Sequence, residues 1–363
     1  MKITKQQLYK RQTTLSEIGE EGQQKLLQTK IIIVGCGGLG SVAAVYLAAS
    51  GIGNIHLIDF DMVDATNLHR QVFYKTSAIG KLKSEVLAAH IKEISPFVKV
   101  SFSTKVITKA TVLKVIQKTD YVLDCTDSLP TKYLLNDACV LQDKTLIYGS
   151  LYKFDGYVSS FNVKLPKGVY SSNLRDAFPE ISTEAIPNCS EIGTLNTIVG
   201  VIGLLQANEV LKLVTGIGKP LLNQLLIYNS LENTQHKMKL KPSFTKEKIS
   251  ELFKEENYYD ASCEIQDEKL LISAKELREK LAFGEASRGL HIISVIEDTE
   301  AKLPFAVRKK ISLSKLKQFK FINKDEYVVV CQRGILSYTA TQQIKSVNPN
   351  LKVLSLKGGI TSY

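Results

Sequence analysis

Glycines, carboxylates and cations recur in the first third of this 363-residue chain in an order that suits phosphate chemistry. Gly35, Gly37, Gly38 and Gly40 follow the apolar run Ile31-Ile-Ile-Val34, and Asp59 and Asp61 close the next one, Ile55-His-Leu-Ile58. A strand entering a glycine turn, a helix behind it and an acid about 20 residues on form a nucleotide-binding unit. Gly35 permits the tight turn, Gly37 lets backbone N–H groups approach a phosphate, and Gly40 lets the helix pack on the sheet. Asp59 can accept hydrogen bonds from ribose hydroxyls. Asn67, Arg70 and Gln71 come after the second strand, Lys83 opens the next helix, and Asp124-Cys-Thr-Asp127 stands at the carboxyl end of a later strand. A guanidinium, an ammonium and an extra carboxylate converging on one crevice suit a triphosphate and its magnesium ion. Each residue alone has a plainer explanation: surface charges for Arg70 and Lys83, a helix cap for Asp127, a turn that binds nothing for the glycines.

These residues need a frame to bring them together. Strand patterns at 98–106, 121–124 and 145–149 alternate with helical ones at about 81–94, 109–118 and 130–141. Such alternation predicts an α/β fold with a Rossmann-like, mostly parallel sheet covered on both faces. Strands at 156–163 and 224–228 around a long helix, 194–215, predict an antiparallel extension of that sheet. Ahead of the first strand, 8–28 reads as one helical stretch with Leu15, Ile18 and Leu26 as its apolar positions. The length favours two domains. Residues 242–267, with Pro242 and a short Lys/Glu-rich helix, read as a linker between domains at 1–241 and 268–363. The second domain is a smaller α/β pattern that ends in Val328-Val-Val-Cys331 and Val353-Leu-Ser-Leu-Lys-Gly-Gly-Ile360.

Composition excludes several classes. Six cysteines without a C-x-x-C pair argue against a disulfide framework and a tetrathiolate zinc site. The formal charge of +11 comes from dispersed lysines, which indicates a solvated surface rather than a nucleic-acid groove. The apolar run 198–205 soon meets Gln206, Asn208, Glu209 and Lys212, so it reads as a buried helix and no membrane contact is expected. The N-terminus has no apolar core behind its charges, which predicts a cytoplasmic protein.

Together, Arg11-Gln12, Gly35-Cys-Gly-Gly-Leu-Gly40, Asp59-Phe-Asp61, Asn67-Leu-His-Arg70-Gln71, Gly80-Lys-Leu-Lys83 and Asp124-Cys-Thr-Asp127 resemble the ordered motifs of the MoeB/ThiF family. The match covers roughly residues 8–240. The resemblance implies use of ATP and Mg2+ to adenylate the C-terminal Gly-Gly carboxylate of a small ubiquitin-like sulfur-carrier protein, with sulfur transfer to follow. Arg70 and Lys83 would then hold phosphates, Asn67 and Gln71 would orient phosphate oxygens, Asp127 would bind magnesium and Asp59 the ribose. It also implies a homodimer in which Arg11 reaches the partner subunit's site. Cys189 matches a crossover cysteine that bonds covalently to the carrier in some members and is a bystander in others. Ser128 and Lys132 depart from the family's usual Asn and Arg, which is expected to loosen nucleotide or carrier contacts without abolishing activity. Where many members carry the first thiolate pair of a structural zinc, this chain has Tyr170-Ser-Ser-Asn173, so no zinc is expected.

Residues 268–363 resemble a rhodanese-like domain, with Cys331 as the sulfur acceptor in a loop of backbone N–H groups. The implied sulfur source is a cysteine desulfurase. Gln332 and Leu336 occupy places where such loops commonly carry arginine, Ser294-Val-Ile296 replaces an Asp-x-Arg, and Arg333 is left as the nearby cation. A degenerate domain serving as a docking surface is the alternative. The carrier of molybdopterin synthesis is favoured slightly over that of thiamine synthesis. Two other classes remain open at this stage: an NAD-dependent oxidoreductase, which the glycine turn alone would permit, and a non-catalytic partner-binding scaffold.

Overall fold

The apolar run ahead of the glycine turn becomes the middle of a sheet. In a computed structural model, the described residues are 3–179, 193–256, 258, 267–282, 289–296, 303–311, 316, 319–322, 324–331 and 334–363. They fall into two compact units, Met1–Tyr259 and Asp260–Tyr363.

In the first unit α1 (Lys5–Thr13) and α2 (Gly19–Gln28) precede β1 (Lys30–Val34), α3 (Gly38–Ala49) and β2 (Asn54–Ile58). There follow α4 (Lys83–Ile94), β3 (Lys99–Ser103), α5 (Val112–Ile116), β4 (Tyr121–Asp124) and α6 (Leu129–Leu141). The chain continues through β5 (Thr145–Tyr152), β6 (Asp155–Phe161), α7 (Leu174–Ala177), α8 (Asn196–Thr215), β7 (Gln224–Asn229), β8 (Thr234–Lys239) and α9 (Lys246–Glu255). The strands form one sheet in the order β3-β2-β1-β4-β5-β6-β7-β8. It is parallel through β5 and antiparallel from β6 onward, the mixed architecture anticipated from the pattern. The chain leaves β1 toward β2 and β3, then returns to place β4 on β1's other side. That reversal opens a crevice at the carboxyl ends of β1 and β4, where open sheets bind ligands.

Both faces are covered. Leu39, Ala43, Leu87, Ile91, Val199 and Ile202 from α3, α4 and α8 pack on one. Val112, Ile116, Leu134 and Leu135 from α5 and α6 pack on the other. Each fully buried aliphatic side chain contributes about 1.5–3 kcal/mol. α8 is the one described helix long and apolar enough to cross a membrane. It instead packs on α3, where Gly203 lets the two helices approach: a Cβ there would stand 2.8 Å from Leu39 O.

Two expected segments differ. The stretch 8–28 is two helices, because Thr13 and Thr14 turn their hydroxyls back onto Lys10 O and Gly19 adopts φ +56°. The expected linker also belongs in part to the first unit. Ile249 is wholly buried and Phe253 packs beside it, so an apolar i,i+4 stripe seats α9 on α6 behind its Lys/Glu surface. Lys109 Nζ donates to Lys254 O and Glu256 O at 2.9 and 2.8 Å. Tyr258 OH donates to the buried Asp137 Oδ2 at 2.5 Å.

The same segment is pinned where the family resemblance would put zinc thiolates. Asp176 Oδ1 accepts from Ser243 N, Ser243 Oγ and Phe244 N at 2.6, 2.9 and 3.0 Å, and Asn173 Nδ2 donates to Phe244 O at 3.1 Å. Arg175 forks onto Asp137, with Nη2 2.7 Å from Oδ2. These hydroxyl, amide and carboxylate groups already satisfy one another, and that donor set does not fit a tetrathiolate zinc.

The second unit contains β9 (Leu271–Ile272), α10 (Ala274–Ala282), β10 (Leu290–Ser294), β11 (Lys309–Lys310), β12 (Glu326–Val330), α11 (Ile335–Val347) and β13 (Lys352–Leu356). Its sheet, β11-β10-β12-β13-β9, is parallel throughout. α11 packs on one face through Ala340 and Ile344, and α10 on the other through Leu277.

Candidate active site

Three of the four glycines after β1 are steric necessities. Gly35 has φ +90°, and a Cβ on it would stand 2.6 Å from Cys125 O. A Cβ on Gly40 would stand 1.8 Å from Gly35 O, and one on Gly38 would stand 2.2 Å from Val199 Cγ1. Gly37 is different. It is the N-cap of α3, and a Cβ there would meet only Gln71 Nε2, at 3.5 Å. The unpaired N–H groups of the first turn of α3 are therefore placed beside room for an anion.

Asp59 is tied to this turn. Its Oδ2 accepts from Cys36 N at 2.6 Å and its Oδ1 from Asp61 N at 2.7 Å. Burial pushes its carboxyl above the usual range, against the pull of the Lys83 ammonium and the Cys36 N–H. Lys83 is the first residue of α4. Its Nζ pairs with Asp61 Oδ2 at 2.9 Å, the lysine side chain being 7% exposed and the aspartate 52%. Tyr74 OH donates to Cys36 O at 2.6 Å, and Ser84 Oγ donates to Asp59 O at 2.8 Å. Sequence reasoning passed over both, since a tyrosine and a serine in a polar stretch carry no signal of their partners.

The segment after β2 borders the same turn. Gln71 is buried, and its Nε2 donates to Asn67 Oδ1 at 2.9 Å. Its Oε1 is buried without a hydrogen-bond partner among the described residues, which costs about 1–3 kcal/mol unless a ligand supplies one. Arg70 O lies 3.5 Å from the place a Gly38 Cβ would take. The Arg70 guanidinium is half-buried, with Nη1 2.9 Å from His69 Nε2 and donating to Thr66 O at 3.1 Å. It has no carboxylate partner among the described residues.

On the β4 side, the two acids of Asp124-Cys-Thr-Asp127 separate by role. Asp124 is fully buried; its Oδ1 accepts from Thr126 N and Oγ1, and its Oδ2 pairs with Lys132 Nζ at 3.1 Å. Lys132 Nζ also donates to Gly149 O at 2.8 Å. The expectation that Lys132 alters nucleotide or carrier contacts is thus corrected: its ammonium ties β4 and β5 together inside the unit. Ser128 Oγ caps α6 by accepting from Thr131 N at 3.2 Å. Asp127, relieved of capping, is exposed and has no partner among the described residues. Gln206 of α8, another residue not singled out in advance, donates to Asp124 O at 2.8 Å and Ile147 O at 3.3 Å. Its polar side chain in an apolar helix was the available signal.

Arg11 is not brought to this crevice. It is exposed in the last turn of α1, and its neighbour Gln12 donates to Ser50 O at 3.0 Å. Ser50 is the C-cap of α3, so Arg11 lies by the end of that helix remote from Gly37, about 18 Å along its 12 residues.

In the second unit, β12 delivers the buried Cys331 to a turn at Gly334, whose φ is +83°. The Cys331 sulfur accepts from Gly334 N at 3.1 Å and Ser337 N at 3.3 Å, with Ser337 Oγ also 3.3 Å away. Leu336 is exposed and adds no charge, and Ser294 Oγ accepts from Ile296 N at 3.3 Å. Cys189, Gln332 and Arg333 lie outside the described residues.

Comparison with known proteins identifies the family. The ThiF family model matches residues 9–249. A sulfur carrier protein adenylyltransferase of Thermus thermophilus is 38% identical over 66% of this chain and 89% of its own. An adenylyltransferase/sulfurtransferase, MoeZ, of Mycobacterium tuberculosis is 30% identical over 98% of this chain and 92% of its own. Among solved structures, E. coli MccB with AMPCPP and selenomethionine MccA superposes with a TM-score of 0.57 at 25% identity, covering 66% of this chain and 73% of that one.

Proposed function

The chain belongs to the ThiF family, and from that premise we propose that it adenylates the C-terminal carboxylate of a small ubiquitin-like sulfur-carrier protein ending in Gly-Gly, then passes sulfur to it through Cys331. The observation that carries the reading is the convergence on Gly37: an open helix N-cap, the buried Gln71 amide with its Oε1 unpartnered among the described residues, and the Asp59, Asp61 and Lys83 cluster. Relatives named for both activities across nearly the whole length support the pairing of the two units.

A carboxylate attacking the α-phosphorus of ATP meets the negative charge of the triphosphate, so the protein's task is positioning and neutralisation. The N–H groups of α3 face the phosphates over Gly37. Asp61 is half-exposed, so Lys83 can exchange it for a phosphate oxygen at small cost, while Arg70 has no carboxylate to leave. Asn67 and Gln71 orient phosphate oxygens, and Asp59 keeps lone pairs for the ribose. Asp127 is free to hold Mg2+, which when bound supplies further positive charge to the phosphates. Pyrophosphate leaves; the outer sulfur of a persulfide on Cys331 would then displace AMP from the acyl-adenylate, and a second thiol would cleave the S–S bond of the resulting acyl disulfide, supplying the two electrons that release the thiocarboxylate.

Arg11 is too far from its own crevice to serve it, which supports the family's homodimer with sites shared across the interface. Mixing Arg11→Ala and Asp127→Ala proteins would then restore part of the activity each lacks. Cys331 is the group that would take sulfur from the persulfide of a cysteine desulfurase, its thiolate attacking the outer sulfur and releasing the donor's thiolate. Cys189 remains a candidate for covalent bonding to the carrier.

The test is ATP–pyrophosphate exchange with purified carriers of molybdopterin and thiamine synthesis. Exchange should require the Gly-Gly terminus and favour the molybdopterin carrier. A failure with both carriers, together with preferential binding of NADH over ATP, would instead favour oxidoreductase chemistry.

A further inference from the structure

We propose that Ser355 is a positioning residue for Cys331, acting through Ser337, in a chain of buried hydroxyls that aims a donor at the sulfur. The proposal rests on the reading of Cys331 as the sulfur-carrying group. Ser337 and Ser355 are both fully buried, and they come from different elements, α11 and β13. Ser355 Oγ donates to Ser337 Oγ at 2.9 Å. Ser337 Oγ in turn lies 3.3 Å from the Cys331 sulfur, a contact in which either atom could carry the proton.

Ser355 removes that ambiguity. A hydroxyl has one proton, and once Ser337 Oγ accepts from Ser355 its own O–H is left to point at the sulfur. The sulfur then receives three aimed donors, two backbone N–H groups and one hydroxyl. Such chains polarise along their length, so each link strengthens the next in a buried site. Thr341 Oγ1, which donates to Ser337 O at 2.9 Å, fixes the helical turn that carries Ser337. Leu336, at a place where cationic loops carry arginine, brings no charge, and the neutral donors are what the described part of the loop offers to a sulfur anion.

The test is a double-mutant cycle on the full-length chain: wild type, Ser337→Ala, Ser355→Ala and the double variant. The readout is the rate at which iodoacetamide alkylates Cys331 near neutral pH, followed by peptide mass spectrometry; a C–S bond forms and iodide leaves. Loss of one neutral hydrogen bond predicts about a fivefold fall for Ser355→Ala. The double variant should be no slower than Ser337→Ala, because Ser355 has nothing further to act through. An unchanged rate in Ser355→Ala, or effects that multiply in the double variant, overturns the proposal. If Ser355→Ala loses its cooperative thermal transition, Ser355→Thr keeps the hydroxyl and should retain the wild-type rate; a fivefold fall there overturns it equally. Alkylation needs neither ATP nor carrier, so this result stands apart from the exchange assay of the adenylation reading.

Discussion

Both units place an anion site after a parallel strand, past a turn that holds a positive-φ glycine, Gly35 or Gly334, and against a helix N-terminus, yet they furnish it differently. Around Gly37 the first unit gathers Lys83, Asp59, Asp61 and the border segment carrying Arg70. Around Cys331 the described residues of the second unit offer backbone N–H groups and serine hydroxyls. The difference follows the charge each must hold. A triphosphate carries several negative charges that helix N–H groups alone cannot balance, whereas a single sulfur anion is within reach of a few oriented neutral donors. A shared backbone motif therefore does not fix the chemistry; the side chains around it do.

Variants that disable one site and spare the other sharpen this contrast. The largest effect is expected from Gly40→Val: its Cβ would stand 1.8 Å from Gly35 O, so the turn must break and exchange activity disappear. Cys331 alkylation should continue at the wild-type rate. Next, Lys83→Met removes a buried cation from the phosphate site and should lower exchange about 10²–10³-fold, while Cys331→Ser should abolish sulfur transfer with exchange intact. Smaller is the effect on the polar clasp. Asp176→Ala takes the acceptor from three backbone N–H groups, those of Asn173, Ser243 and Phe244, and should lower the melting temperature by roughly 5–10 °C, whereas a zinc chelator should leave the wild-type melting temperature unchanged.

The smallest concerns Asp59, whose carboxyl is held above its usual range by burial. A raised folded-state value means the native state binds the proton more tightly than the unfolded chain. Its contribution to stability is then fully present below about pH 4 and is lost as the pH rises through the folded-state value. Denaturant melts of wild type against Asp59→Asn should show wild type gaining relative stability as the pH falls.

The glycine turn was legible in the sequence because its requirements are local: positive φ at Gly35 and close backbone approach at Gly40 admit no other residue. The alternation of strands and helices likewise carried the sheet and its antiparallel extension. What escaped notice depends on partners far along the chain. Lys132 was expected to loosen nucleotide or carrier contacts, whereas Asp124 and the Gly149 carbonyl hold it inside the unit. Tyr258 lies 121 residues from Asp137, the carboxylate that anchors it, so its segment read as linker. Ser355 gave no hint of Ser337, and Gln71 showed its unpartnered oxygen only once the turn beside it was in place.

The most direct test of the central claim is carrier-dependent ATP–pyrophosphate exchange in Arg70→Ala and Asp127→Ala, each checked for an unaltered melting temperature. A crevice that works by neutralising the triphosphate predicts a fall of at least about a hundredfold in both. Exchange at the wild-type rate in both would contradict it.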